Sequence, residues 1–166
     1  MNETFTDFLN EIEAEPDMIQ QALRIHLSER TNDRTHKELL TELRESVSSE
    51  EELDQLLKQL EHDPNVLEQA ALIYFEQAWE DDAQQASVRA AFKHAKGRLP
   101  VVEVAILAVV AMYGMYLIAT NGVSEKKMVE RTSAGTYKEI TEKREPFAPI
   151  LSAMALLLGK KDNLTG

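Results

Sequence analysis

The sequence predicts a mainly α-helical protein: an N-terminal bundle of about six short helices, one long hydrophobic helix, and a tail with a small β-hairpin and a short C-terminal helix. Three observations lead to this prediction. Apolar residues recur at helical spacing as far as residue 97, Glu103 is the only charge over residues 99–119, and a glycine-bearing loop separates two β-like runs near the end. The corresponding segments are 1–97, 98–122 and 123–166.

The first three helices are predicted from apolar stripes and from residues that begin helices. Pro16 suits the first turn of the second helix, where its missing N–H is not needed. Thr35 and Glu38 have the spacing of a capping box, which begins a third helix. The stripe on the first helix follows the i, i+3, i+4, i+7 pattern: Phe5, Phe8, Leu9 and Ile12.

The next three helices are also predicted from residues that begin or end helices. Either Ser48 or Ser49 is followed three residues later by glutamate, which predicts a cap for the fourth helix. Asp63 and Pro64 form an N-cap with proline at the first helical position of the fifth. The sixth helix, over residues 83–96, is rich in alanine and closes at Gly97. Six short amphipathic helices with short connections predict a bundle.

The long hydrophobic helix over residues 99–120 is predicted to cross a membrane. About 20 apolar residues, at 1.5 Å each, match a hydrocarbon thickness of about 30 Å. Glu103 is the one candidate site residue: an acid in a membrane helix is costly and is often functional. Its place in the first turn also suits capping or the membrane interface. Tyr113 and Tyr116 lie deeper than an aromatic belt would place them, which favours the alternative of a buried central helix.

The tail is predicted from turn chemistry and length. The runs 127–132 and 136–142 contain β-branched and aromatic residues, and the loop between them ends in Gly135, which accepts a left-handed conformation. The final apolar segment, residues 150–158, is too short to span a membrane. We therefore expect a hairpin and then a short helix.

Charge and cysteine content limit the classes of partner. Residues 1–98 hold 22 acidic and 10 basic residues, whereas residues 99–166 hold 7 and 8, so the acid is concentrated in the predicted bundle. An acidic bundle disfavours nucleic acid, because binding requires lysine and arginine at the phosphates. The chain has no cysteine, which excludes disulfides and thiolate chemistry.

No catalytic, cofactor or metal motif is found. The four histidines, His26, His36, His62 and His94, lack metal-ligand spacing, and surface positions are expected for them. Glycine-rich phosphate loops and nucleophile elbows are missing from the sequence. The sequence predicts a protein that is not an enzyme, with no cofactor, no metal and no small-molecule substrate.

The function predicted is that of a non-enzymatic, membrane-anchored helical adaptor that binds a protein partner or assembles with itself. The run 113–122 and the charged hairpin after it resemble membrane-anchored bacterial signalling or defence accessory proteins, over a small part of the chain. Basic residues flank the hydrophobic helix on both sides, so its single-pass orientation is not predicted. The alternative is a soluble, oligomeric, cytoplasmic regulatory protein with residues 99–120 as its buried central helix.

Overall fold

The computed structural model describes residues 3–97, 104–120 and 127–141, together with Met154 and Leu157. Within these residues the chain forms seven α-helices and then two β-strands. The helices are α1 (Phe5–Glu11), α2 (Pro16–Arg30), α3 (His36–Ser46), α4 (Glu50–His62), α5 (Pro64–Trp79), α6 (Asp82–Gly97) and α7 (Val104–Thr120). The strands are β1 (Lys127–Arg131) and β2 (Tyr137–Thr141).

Local capping explains where several helices begin, and it confirms the helix starts predicted from the sequence. The Thr35 hydroxyl accepts a hydrogen bond from the Glu38 N–H (3.2 Å), and the Glu38 carboxylate accepts one from the Thr35 N–H (3.0 Å). Ser49 caps α4, and Asp63 caps α5 by accepting hydrogen bonds from two backbone amides. These side chains satisfy amides that have no partner within the helix.

Helix α7 is packed against α2, α3, α4 and α5 and forms the centre of the bundle. At Gly114 the helix lies close to α5, because a Cβ added there would lie 3.3 Å from the Tyr74 ring. The buried side chains of α7 are Leu107, Ala108, Val109, Val110, Ala111, Met112, Tyr113 and Met115. This burial on several sides explains why the helix has no polar face.

The predicted membrane-spanning helix is wrong, and with it the single-pass membrane localisation. Among the described residues, no helix is both long enough and apolar enough to cross a bilayer. The misreading has a physical reason: a helix that is apolar all round is expected both in lipid and at the centre of a bundle. In this chain α2 to α5 supply the apolar surroundings. Residues 98–103 lie outside the described part of the chain.

Strands β1 and β2 form an antiparallel pair that packs on α1 and α5. The pair runs from Lys127 opposite Thr141 to Arg131 opposite Tyr137. Gly135, in the connecting loop, has φ of 87°, a conformation that side-chain-bearing residues rarely adopt. The C-terminal helix predicted over residues 150–158 falls outside the described residues, except for two buried positions, Met154 and Leu157.

Candidate functional site

The candidate site predicted from the sequence is not among the described residues, because Glu103 lies between α6 and α7. The histidines are dispersed. His62 and His94 are exposed and His36 is half-buried, but His26 is buried, so the prediction that all four lie at the surface is wrong for His26. In the described ranges, no three acidic or histidine side chains are grouped so that they could hold a metal ion.

A polar cluster lies where α3 meets α7, and we call it the α3–α7 seam. Its members are Arg34, Glu42, Ser46, Tyr113 and Tyr116. Glu42 and Ser46 are one turn apart on α3, and the two tyrosines are three residues apart on α7, so each pair shares a helix face. The seam therefore explains why two tyrosines stand in an otherwise apolar helix.

Arg34 is carried by the connection between α2 and α3, which has a defined conformation. Asn32 and Asp33 have φ of 57° and 62°, a region that asparagine and aspartate tolerate better than most residues. The Asp33 N–H donates to the Ser28 carbonyl (2.7 Å), and the Ser28 hydroxyl donates to the Asp33 carboxylate (3.0 Å). The turn places Arg34 beside Tyr113, with its guanidinium carbon 6.0 Å from the ring centre.

The guanidinium of Arg34 has three oxygen partners. Nη1 lies 2.5 Å from Glu42 Oε1 and 3.4 Å from the Tyr113 hydroxyl, and Nη2 donates to the Glu38 carbonyl (3.2 Å). The Tyr113 hydroxyl in turn donates to the Glu42 carboxylate, at 3.2 Å from each oxygen. Hydrogen bonding with Glu42 raises the pKa of Arg34, and burial followed by the Glu42 charge raises the pKa of Tyr113. Both groups thus keep their protons, and the arrangement can hold a guanidinium.

Tyr116 continues the seam toward the end of α7. Its hydroxyl accepts a hydrogen bond from Ser46 Oγ (3.2 Å), and its ring centre lies 5.5 Å from that of Tyr113. Tyr116 and the next two residues, Leu117 and Ile118, are half-buried. The seam therefore combines a carboxylate, two phenols and partly exposed apolar surface.

Two other arginines lie over aromatic rings. Arg89 lies over Phe8 (5.1 Å) and Trp79 (4.8 Å) and forms an ion pair with Glu3 (2.6 Å). The Trp79 indole N–H also donates to the Glu3 carbonyl (2.9 Å), so this group fastens the start of the chain to α5 and α6. Arg30 donates to the Tyr74 hydroxyl (2.8 Å) and lies over that ring.

The hairpin is fastened to the bundle by polar contacts. Buried Glu68 of α5 pairs with Arg131 of β1 (3.2 Å). Asn10 bonds both backbone groups of Tyr137, accepting from its N–H (2.7 Å) and donating to its carbonyl (2.9 Å). The Tyr137 hydroxyl donates to the Ala14 carbonyl (2.9 Å). Burial raises the pKa of Glu68, and burial together with the Glu68 charge raises that of Tyr137 to about 12.

His26 is a residue of α2 and faces α5 and α6. Its Nδ1 is 3.1 Å from the Ser87 hydroxyl, and its ring centre is 5.5 Å from that of Tyr74 and 5.9 Å from that of Phe75. Burial lowers the pKa of His26, so the ring is held neutral in the interior. The His26 contacts therefore connect α2 to α5 and α6 and have a structural role, as do the polar contacts of the hairpin.

Sequence reasoning missed the seam, since its members come from three separate stretches of the chain. The signal that could have found it was the position of Tyr113 and Tyr116 in an apolar helix, where buried phenols require hydrogen-bond partners. Comparison with protein-family models, with curated proteins and with solved structures finds no match for the chain.

Proposed function

We propose that the chain is a non-enzymatic helical regulatory protein that acts by binding a protein partner with a basic surface. The observation that carries the proposal is the charge of the outer surface. Over residues 3–95, sixteen acidic side chains are exposed against six basic ones, so the bundle presents a negative field on many sides. Such a field accelerates encounter with a basic partner and selects against acidic ones.

The uses of the interior polar groups support the same proposal. Glu68, His26 and Asn10 connect elements of the fold to one another. Such groups have structural roles, and the exposed surface is then the part of the described chain left to act on other molecules. Copies of an acidic protein repel one another, which favours a different protein over a second copy as the partner.

The test uses the full chain as bait and requires that binding be reproduced between two purified proteins. In one variant, three exposed acids are neutralised: Glu15→Gln, Glu29→Gln and Glu51→Gln. In the matched control, three exposed bases are neutralised: Lys37→Gln, Lys58→Gln and Lys93→Gln. We expect the first set to weaken binding by about tenfold and high salt to weaken it further, while the control binds at least as well as the wild type.

The proposal fails if no purified protein binds the chain. It also fails if binding is insensitive to salt, or if the acid and base variants have the same effect. Circular dichroism of both variants establishes that the helical content is unchanged before affinities are compared.

A further inference from the structure

The α3–α7 seam holds a guanidinium that belongs to the chain itself. Arg34 is bound there by the Glu42 carboxylate, the Tyr113 hydroxyl and the Glu38 carbonyl, with the Tyr113 ring alongside. A planar group with several N–H donors matches this set of oxygens better than an ammonium does. The seam therefore has the hydrogen-bond acceptors of an arginine-binding site. In this structure Arg34, from the connection between α2 and α3, fills that site.

We propose that the seam is the place where an arginine side chain of a basic partner segment binds, and that Arg34 competes with it for Glu42 and Tyr113. This inference rests on the proposed function, because it names the chemistry of the partner. The occupant fits the charge of the bundle surface as a whole, where sixteen exposed acidic side chains stand against six basic ones over residues 3–95. The partner is thus a segment of protein with exposed arginine.

Exchange of one guanidinium for another is physically reasonable here. The Arg34 and Glu42 side chains are 34% and 31% exposed, so an incoming arginine reaches the carboxylate without opening the core. Because both side chains are partly exposed, the pair contributes less net stability than a fully buried one, and displacing Arg34 requires less energy from the partner. The half-buried ring of Tyr116, whose centre lies 5.5 Å from that of Tyr113, offers adjoining apolar surface to residues that flank the arginine.

The other two arginine–aromatic groups are less suited to exchange. Arg89 lies over two rings and pairs with Glu3, whose own carbonyl is bound by Trp79, so its removal would loosen the start of the chain. Arg30 is bonded to the Tyr74 hydroxyl, and the ion pairs of the described residues give it no carboxylate partner that an incoming arginine could take over. Of the three groups, the seam is therefore the one that has a carboxylate partner and whose arginine does not also hold the start of the chain.

The test measures the affinity of the full chain for fluorescein-labelled nona-arginine and nona-lysine by fluorescence anisotropy. Arg34→Ala removes the competing guanidinium. Its matched control is Arg44→Ala, which also removes one positive charge and frees a surface carboxylate, Asp54, 3.4 Å from Arg44. We expect Arg34→Ala to tighten nona-arginine binding by about threefold more than Arg44→Ala does, because a vacant site no longer has to be cleared.

A second pair of variants tests the receptor side. Glu42→Gln removes the carboxylate of the seam, and Glu51→Gln removes an exposed carboxylate on α4. We expect Glu42→Gln to weaken nona-arginine binding by about tenfold, since charge-assisted hydrogen bonds are the stronger class, and Glu51→Gln to have a much smaller effect. The affinity for nona-lysine should change equally in the two glutamate variants, because this peptide has the same charge but no guanidinium groups.

The inference is overturned if Arg34→Ala and Arg44→Ala give the same affinity, or if Glu42→Gln and Glu51→Gln do. It is equally overturned if nona-lysine follows nona-arginine through all four variants, or if neither peptide binds. If Arg34→Ala lowers the helical signal, Arg34→Gln, which keeps a polar side chain, replaces it. A purified partner that still binds with salt dependence would leave the proposed function standing while the seam is rejected.

Discussion

Replacing Met112 by alanine tests the packing of α7 at its most enclosed point. The Met112 side chain is fully buried, at 0% exposure, and lies near the middle of α7. Because α2, α3, α4 and α5 surround this helix, the structure cannot collapse easily around the space that the substitution leaves. Buried methionine-to-alanine changes cost about 2–5 kcal/mol, and we expect about 3 kcal/mol here.

The assay is urea unfolding followed by circular dichroism, with Val104→Ala as the control on the same helix. Val104 is 47% exposed, so its truncation should change the free energy of unfolding by no more than about 0.5 kcal/mol. The dependence on urea should keep its slope in both variants. A Met112→Ala protein within about 0.5 kcal/mol of the wild type would refute the placement of α7 at the centre of the bundle.

Three further predictions concern the polar groups of the interior. Burial lowers the pKa of His26 below 6.5, so the contribution of the neutral ring to stability is present above pH 6.5 and is lost as the pH falls, by at most about 1.4 kcal/mol per pH unit. The free energy of unfolding in urea should therefore depend less on pH below 6.5 in His26→Gln than in the wild type. Equal dependence in the two proteins would contradict this prediction. Arg131→Ala should lower the free energy of unfolding by about 1–2 kcal/mol, because it leaves the Glu68 carboxylate buried without its ion-pair partner. The loss is smaller than for a fully buried pair, since Arg131 is 39% exposed. The double variant with Glu68→Gln should recover part of that loss, and strictly additive effects would argue against the pair. Asn10→Ala should lower the free energy of unfolding by about 1–2 kcal/mol and speed hydrogen exchange at the Tyr137 amide. Unchanged exchange at that amide would show that the two Asn10–Tyr137 hydrogen bonds do not hold the hairpin.

The helix starts were predictable because their physics is local. Thr35 and Glu38 interact over three residues, and Asp63 accepts from the amides two and three residues ahead, so the pattern in the sequence contains the whole interaction. The apolar stripes of the first five helices likewise face the core.

The long-range arrangement was not predictable in the same way. The apolar run of α7 is compatible with a bilayer or with a bundle centre, and only its neighbours decide between them. His26 lies on a helix with many polar residues, and its burial depends on α5 and α6. The two hydrogen bonds between Asn10 and Tyr137 join residues 127 positions apart, so no local sequence pattern predicts them.

The central claim, that α7 is enclosed by the other helices, is tested most directly by thiol labelling. The sequence contains no cysteine, so a single introduced thiol is the only one that reacts. Ala111→Cys places it at a position 1% exposed, and Ala105→Cys places it at an exposed position on the same helix. In detergent-free buffer we expect rapid maleimide labelling at position 105, and protection at position 111 until urea unfolds the chain. Equal labelling rates at both positions before unfolding, or a chain that leaves the membrane pellet only with detergent, would contradict it.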